Sequence, residues 1–328
     1  MLDRLFLTFL LALLLASLLT PLVRKGAARL GRVSPPNPAV DGHNRPTPYV
    51  GGLAVFLAVL PFILFCDDSR WTLGVVMMMG LGLVDDLWAL SPAWKVLGQA
   101  AAATSAAAGG IAVQATGNAL LDGGLTVLWL VWITNAFNVI DMMDGLAAGV
   151  GGVASLGFAV GFAWLGQGGP AVLATALSGA LLGFLIYNFH PAKIFMGDTG
   201  SLFAGCLLGC LALGLQRQGH GIPGFVLLGF PLFEAVFLVL VRHRGGRRWY
   251  LSSRDHTAQR LVQMGWSIRG AVLVLYCVSG VCAGLALLCL RQPRPFPHVA
   301  LGMLLAIALL SGWRLSKVQM RDRPQGSA

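Results

Sequence analysis

Leu125-Thr-Val-Leu-Trp-Leu-Val-Trp-Ile-Thr-Asn-Ala-Phe-Asn-Val-Ile-Asp-Met-Met-Asp-Gly-Leu146 runs from an unbroken apolar stretch into a polar knot, and a second apolar stretch follows. The apolar part is continuous rather than alternating, so it reads as a membrane-crossing helix and not as a barrel strand. Its end carries Asn138, Asp141 and Asp144 at intervals of three. On a helix those side chains share one face. Carboxylates at a bilayer edge are expensive, so they mark functional sites. The chain has only 13 acids in 328 residues, which makes each such placement informative.

The same apolar pattern recurs outward in both directions. The chain is 56% hydrophobic and 11% charged, with a mean hydropathy of +0.76; a soluble domain carries about 25% charged residues. Eleven runs read as candidate spans, at about 5–23, 50–66, 71–84, 94–113, 125–140, 146–166, 170–190, 202–215, 222–241, 271–290 and 297–313. The expected fold is all-α: a polytopic integral membrane protein of about 10–11 transmembrane helices, forming one catalytic domain over 1–328. The first run lacks a small-residue cleavage site before Arg24 and reads as a retained helix.

Charge orients the helices. With the N-terminus outside and alternating spans, 18 of the 23 Lys and Arg residues fall on one side and 5 on the other. Basic loops face the cytoplasm. The same side collects Asp41, Asp85, Asp86, Asp141, Asp144, Asp198 and Asp255, so the site is expected on the cytoplasmic face. The net charge of +10 follows from this topological bias and suits anionic membrane lipids; it does not call for nucleic acid. The six cysteines fall in or beside spans and form no metal-ligand spacing with His. No internal repeat of the kind that builds two-halved transporters is present.

The inside loops, at about 24–49, 85–95, 140–146, 190–201 and 242–270, carry the chemistry; a basic tail follows from 314. The first is Pro-rich, which predicts an extended path through Arg45 and Thr47. Asp85-Asp86 closes a span, as either a solvated helix end or a pair with divided roles. Gly197-Asp-Thr-Gly-Ser201 opens another span, where glycines allow close backbone approach and free N–H groups suit a phosphate. Read alone it is either a capped turn or part of a Mg²⁺ site, since Mg²⁺ takes few carboxylates. In the fifth loop, Arg254, His256 and Arg260 have the chemistry to grip a diphosphate or a sugar. Glu234, the single Glu, follows Pro231 inside a span and reads as a structural contact.

Asp85-Asp86 with Lys95, Asn138-x-x-Asp141-x-x-Asp144-Gly145 and Phe195-Met-Gly-Asp198-x-Gly-Ser201, in this order on one face, resemble the polyprenyl-phosphate N-acetylhexosamine-1-phosphate transferase family. The resemblance runs from about Asp41 to Leu261. It implies transfer of an N-acetylhexosamine-1-phosphate from a UDP-sugar to undecaprenyl phosphate, with Mg²⁺ or Mn²⁺, giving UMP and initiating a cell-envelope glycan such as lipopolysaccharide or a cell-wall polymer. It implies a bacterial inner (cytoplasmic) membrane location and a homodimer. By resemblance Asp198 would be the metal ligand, and Asp85 and Asp86 would lie by the acceptor phosphate. Lys95 would pair with phosphate, while Asn138 and Asp141 act near the diphosphate. Asp144, Asn188 and Phe195 would hold the uracil end, with Arg45 and Thr47 approaching the nucleoside.

One departure stands out. The family's fifth loop carries His-x-His-His or three consecutive His; here the register is His256-Thr-Ala-Gln259. That weakens the alternative of a phospho-MurNAc-pentapeptide transferase and points to the simple-sugar branch. An intramembrane prenyltransferase would carry Asp pairs four apart, which are lacking. An ion-coupled transporter would place acids near the membrane midplane, where only Glu234 qualifies.

Overall fold

The computed structural model describes residues 1–35, 46–65, 70–246 and 255–318. All eleven apolar runs lie in helices: α1 (Leu2–Arg29), α2 (Gly52–Leu64), α3 (Thr72–Trp88), α4 (Pro92–Ala108), α5 (Ala119–Ile140), α6 (Leu146–Trp164), α7 (Gly168–Asn188), α8 (Gly197–Arg217), α9 (Gly221–Leu227) with α10 (Gly229–Arg244), α12 (Ile268–Arg291) and α13 (Phe296–Ser316). A short α11 (Thr257–Gln263) lies in the fifth loop. By length and composition seven helices can cross a membrane, or eight if the α9–α10 pair counts as one bent span. Helices α2, α3 and α4 are shorter, with 13, 17 and 17 residues. At about 1.5 Å per residue, α2 falls well short of a bilayer core of about 30 Å.

Three boundaries differ from expectation. The ninth run is two helices meeting at 69° rather than one. Pro231 supplies the reason, because its ring clashes with the carbonyl four residues back and it donates no N–H. The 85–95 loop shrinks to three residues, with Asp85 and Asp86 in the last turn of α3 and Lys95 in the first turn of α4. Asp198 and Ser201 belong to the first turn of α8, not to a loop before it. The first loop, expected to be extended, contributes β1 (Val33–Ser34) and β2 (Thr47–Pro48), which pair antiparallel.

Core and periphery separate clearly. Helix α8 is almost wholly buried and packs on α3, α5 and α2, while α7 packs between α1 and α6. Helices α1 and α13 expose long apolar faces, as helices in lipid do. Small residues let the backbones close in on α8. A Cβ added at Gly52 would meet Gly200 at 2.0 Å, and one at Gly82 would meet the Asp198 carbonyl at 2.3 Å. The start of α8 is thus gripped between α2 and α3. The starts of α2, α4, α6, α8 and α12 and the ends of α1, α3, α5, α7 and α10 gather at one end of the bundle, where the polar residues lie.

Candidate active site

The site grows from the first turn of α8. Gly197 takes a left-handed φ of +72°, which an L side chain resists, and turns the chain so that the free N–H groups of α8 face α3. Asp86 meets them. Its Oδ1 accepts from the Asp198 backbone at 2.9 Å, and its Oδ2 accepts from the Thr199 backbone at 2.9 Å and the Thr199 hydroxyl at 2.6 Å. A carboxylate from a neighbouring helix therefore caps α8, matching the positive end of its dipole.

Asp198 is held from two sides. Lys95 donates to its Oδ2 and Asn138 donates to its Oδ1 at 2.7 Å. Asn138 also donates to Ser201 at 2.8 Å. Lys95 is shared with Asp85 at 3.0 Å, and the other oxygen of Asp85 accepts from the Leu90 backbone at 2.7 Å. One turn along each helix, Gln99 of α4 and Asn135 of α5 exchange amide hydrogen bonds at 2.7 and 3.3 Å. That pair fixes the spacing on which Lys95 and Asn138 depend.

The loop after α5 forms the facing wall. Asp144 accepts from the Ala192 backbone at 3.0 Å and lies 2.8 Å from His190 Nδ1. Asn188 accepts from the Gly145 backbone at 3.1 Å and donates to the Ile194 carbonyl at 3.0 Å. Tyr276 of α12 donates to the Gly145 carbonyl at 2.6 Å, and Arg269 donates to the His190 carbonyl at 2.9 Å. The first loop is stitched to the same wall. The Phe195 N–H donates to the Pro48 carbonyl, and the Gly51 and Gly52 N–H groups donate to the carbonyls of Phe195 and Met196.

Between these walls lies a cavity of about 900 Å³, lined by Tyr49, Asp86, Asn138, Asp141, Asp144, Asn188, Phe195, Asp198, His256 and Gln259 among others. That is the size range of small-molecule sites. Asp141 sits among the acids, and among the described residues no Lys or Arg pairs with it. Burial first, then the charges of Asp198, Asp86 and Asp144, pushes its carboxyl well above the usual carboxylate range, against a hydrogen bond from the Gly197 backbone. Among the described residues no three of His, Cys, Asp and Glu converge on one metal position. The donor set suits a hard cation that takes one or two carboxylates and completes its shell with substrate oxygens. The buried excess of negative charge around Asp141 is a place such an ion would be welcome.

The expected residues do not all meet here. Asp86, Asn138, Asp141, Asp144, Asn188, Phe195, Asp198 and His256 line the cavity. Asp85 and Lys95 stand behind Asp198, and Thr47 is buried in β2 without lining the cavity. Arg260 is 2% exposed and turns away from the cavity. It donates to Asp255 and to the carbonyls of Leu315 and Val318, so its place is a strut and not a wall of the site. Arg45 and Arg254 lie outside the described residues. Sequence reasoning gave no role to Thr199, His190, Arg269 and Tyr276, whose contacts depend on partners up to 131 residues away. Thr199 and Ser201, inside the Gly-Asp-Thr-Gly-Ser turn, were the only ones with a local signal. Glu234 behaves as read: its Oε1 accepts from the Thr257 backbone at 3.0 Å and lies 3.2 Å from His256 Nδ1.

Comparison with known proteins decides the family. A profile of glycosyl transferase family 4 matches residues 70–216. A Bacillus subtilis protein named "Probable undecaprenyl-phosphate N-acetylglucosaminyl 1-phosphate transferase" is 36% identical over 300 residues, covering 84% of this chain and 82% of the relative. The chain belongs to glycosyl transferase family 4. A Mycobacterium tuberculosis member, "Decaprenyl-phosphate N-acetylglucosaminephosphotransferase", is 35% identical over 330 residues, covering 85% of this chain and 81% of the relative. A "Phospho-N-acetylmuramoyl-pentapeptide-transferase" from Moorella thermoacetica is 42% identical over 162 residues, but covers only 48% of this chain and 49% of its own. The family 4 profile includes both acid-bearing helix ends and the start of α8, where the cavity's carboxylates gather.

Proposed function

We propose that this multi-pass membrane enzyme transfers an N-acetylhexosamine-1-phosphate from a UDP-sugar to undecaprenyl phosphate in a bacterial cytoplasmic membrane. The supporting observation is the cavity in which Asp198, fixed by Lys95 and Asn138, faces Asp141 beside the capped start of α8. A phosphate oxygen of the acceptor attacks the sugar-side phosphorus of the donor. The bond from that phosphorus to the bridging oxygen breaks, and UMP leaves with the bridging oxygen. A phosphate monoester has a second pKa of about 6, so the acceptor is largely a dianion near neutral pH and needs little help from a base.

The protein's task is to gather negative charge and hold it in line. Asp198, with Asp141 opposite, would hold Mg²⁺; when bound, the ion neutralises diphosphate charge as it moves to the leaving group. Lys95 and Asn138 keep the Asp198 carboxylate in one orientation, and Asp86 keeps the α8 start in place beneath it. Phe195 and Tyr49 offer rings where the uracil would stack. Asp144 and Asn188 brace the wall behind it. The orientation that puts this cavity in the cytoplasm follows the basic side of the chain.

The test incubates purified protein with undecaprenyl phosphate, Mg²⁺ and labelled UDP-GlcNAc, UDP-GalNAc or UDP-MurNAc-pentapeptide, and follows UMP. The expected result is UMP from a simple N-acetylhexosamine donor and loss in EDTA. Asp198→Asn should lower turnover by at least about a hundredfold. No UMP with any donor overturns the reading.

A further inference from the structure

We infer that Tyr276 is a positioning residue for the transfer: from outside the cavity its hydroxyl holds the Gly145 carbonyl, and so sets where Asp141 stands against Asp198. The role presupposes the transferase reading above. Tyr276 is the one aromatic residue of α12, eight residues past its start at Ile268, or about 12 Å along the helix. It does not line the cavity. Its hydroxyl donates to the Gly145 carbonyl at 2.6 Å, across 131 residues of chain.

Two glycines at the start of α6 form a socket for this side chain. A Cβ added at Gly149 would meet Tyr276 Cζ at 2.0 Å and its hydroxyl oxygen at 2.4 Å, and one added at Gly145 would meet that oxygen at 3.1 Å. Gly145 also takes a left-handed φ of +77°, which a side chain resists. Glycine at both positions lets the hydroxyl reach the main chain. The bond is not needed to satisfy the carbonyl. The Gly145 oxygen already accepts from the Gly149 N–H at 2.9 Å, within the first turn of α6. A carbonyl has room for two donors, so the tyrosine adds direction more than stability.

What it directs is the turn at 141–145. That turn leaves the end of α5, where Asn138 is fixed on Asp198 and Ser201, and it ends at Gly145. Asn188 accepts from the Gly145 N–H and Tyr276 donates to its carbonyl, so one residue is held by α7 and α12 together. Asp141 lies between these anchors and lines the cavity. Helix α12 takes a second hold at its first turn: Arg269 donates to the His190 carbonyl, and His190 Nδ1 lies 2.8 Å from Asp144. Phe195 hangs on different bonds, to the Pro48 carbonyl and from the Gly51 N–H. Releasing the Gly145 carbonyl should therefore move the acid beside the reacting diphosphate and spare the ring on which the nucleoside would rest. Displacing a group that acts in the transition state lowers kcat more than it raises KM, and a shift of about 1 Å costs up to about a hundredfold.

The experiment compares wild type, Tyr276→Phe and Gly149→Ala in detergent. It measures kcat and KM for the donor that wild type uses, the inhibition constant of UMP, and melting in EDTA. Tyr276→Phe keeps the ring and loses the hydroxyl alone. Its kcat should fall about tenfold, with donor KM and the UMP constant within about twofold of wild type and a melting temperature within about 2 °C. Gly149→Ala keeps the tyrosine but drives its ring off the carbonyl, and should show the same split. Either variant, folded and with the kcat of wild type, overturns the inference. So does a Phe variant that does not fold, or whose kcat falls only in proportion to its folded fraction, since the bond would then be structural. A loss carried by donor KM and the UMP constant together overturns it as well, by placing the effect at the nucleoside. Wild-type protein inert with every donor overturns the transferase reading together with this one; active wild type without the split in Tyr276→Phe overturns this inference alone.

Discussion

Asp86 and Asp198 show how different two carboxylates in one cavity can be. Asp86 spends both oxygens on the backbone and hydroxyl of α8's first turn. Asp86→Ala should therefore cost stability, about 2 kcal/mol from the lost cap and the stranded N–H groups, visible as a lower melting temperature in detergent. A variant that melts like wild type would show that α8 needs no cap from α3. Asp141 makes the opposite prediction. Its carboxyl titrates higher in the folded protein than in the unfolded chain, because of burial and three neighbouring acids. The folded state then holds that proton more tightly, so stability falls as pH rises from the ordinary carboxylate value toward the raised one. In EDTA, Asp141→Asn should be more stable than wild type at neutral pH and should flatten that slope in melts taken across pH, while losing turnover. Identical slopes in the two proteins would remove Asp141 from this account. These acids were visible in the sequence because carboxylates are so few. Their division of labour was not, since it depends on which oxygen meets which helix end across the fold.

At the level of elements, the apolar runs predicted where helices lie but not how long or how straight they are. Continuous hydrophobicity cannot register that α2 stops at 13 residues or that Leu228 separates two helices at 69°. Pro231 was a signal for the bend, and its strength depended on packing. The fifth loop was read as a patch of ligand-gripping cations, yet Arg260 proved to be an internal brace. Helix α13 is barely covered by the rest of the protein, so the bonds from Arg260 to Leu315 and Val318 matter to it. Arg260→Met should loosen the end of α13 and the α11 turn together, a loss of about 2 kcal/mol for charge-assisted bonds. Hydrogen exchange should rise in 257–263 and 314–318 together. Faster exchange in only one of them would break the proposed link.

For the whole molecule, the alternation of helix ends places every cavity residue on one side of the bundle, the side to which the basic residues also segregate. Ser91, between α3 and α4, is exposed at the cavity end, and Ala115, before α5, is exposed at the opposite end. In intact cells Ala115→Cys should react with a membrane-impermeant maleimide, and Ser91→Cys only after permeabilisation; the reverse pattern would turn the enzyme over in the membrane. The backbone stitch between the first loop and Phe195 has a further consequence, for inheritance and grafting. Segments 48–52 and 195–196 are far apart in the chain yet share three main-chain hydrogen bonds that depend on spacing rather than side-chain identity. Side chains are constrained at Gly51 and Gly52, where an added Cβ would meet the Phe195 carbonyl at 2.5 Å and Gly200 at 2.0 Å, and an inserted or deleted residue in one segment is tolerated only with a matching change in the other. A chimera that borrows the first loop from a relative should therefore keep its function when both segments travel together, and fail when one travels alone.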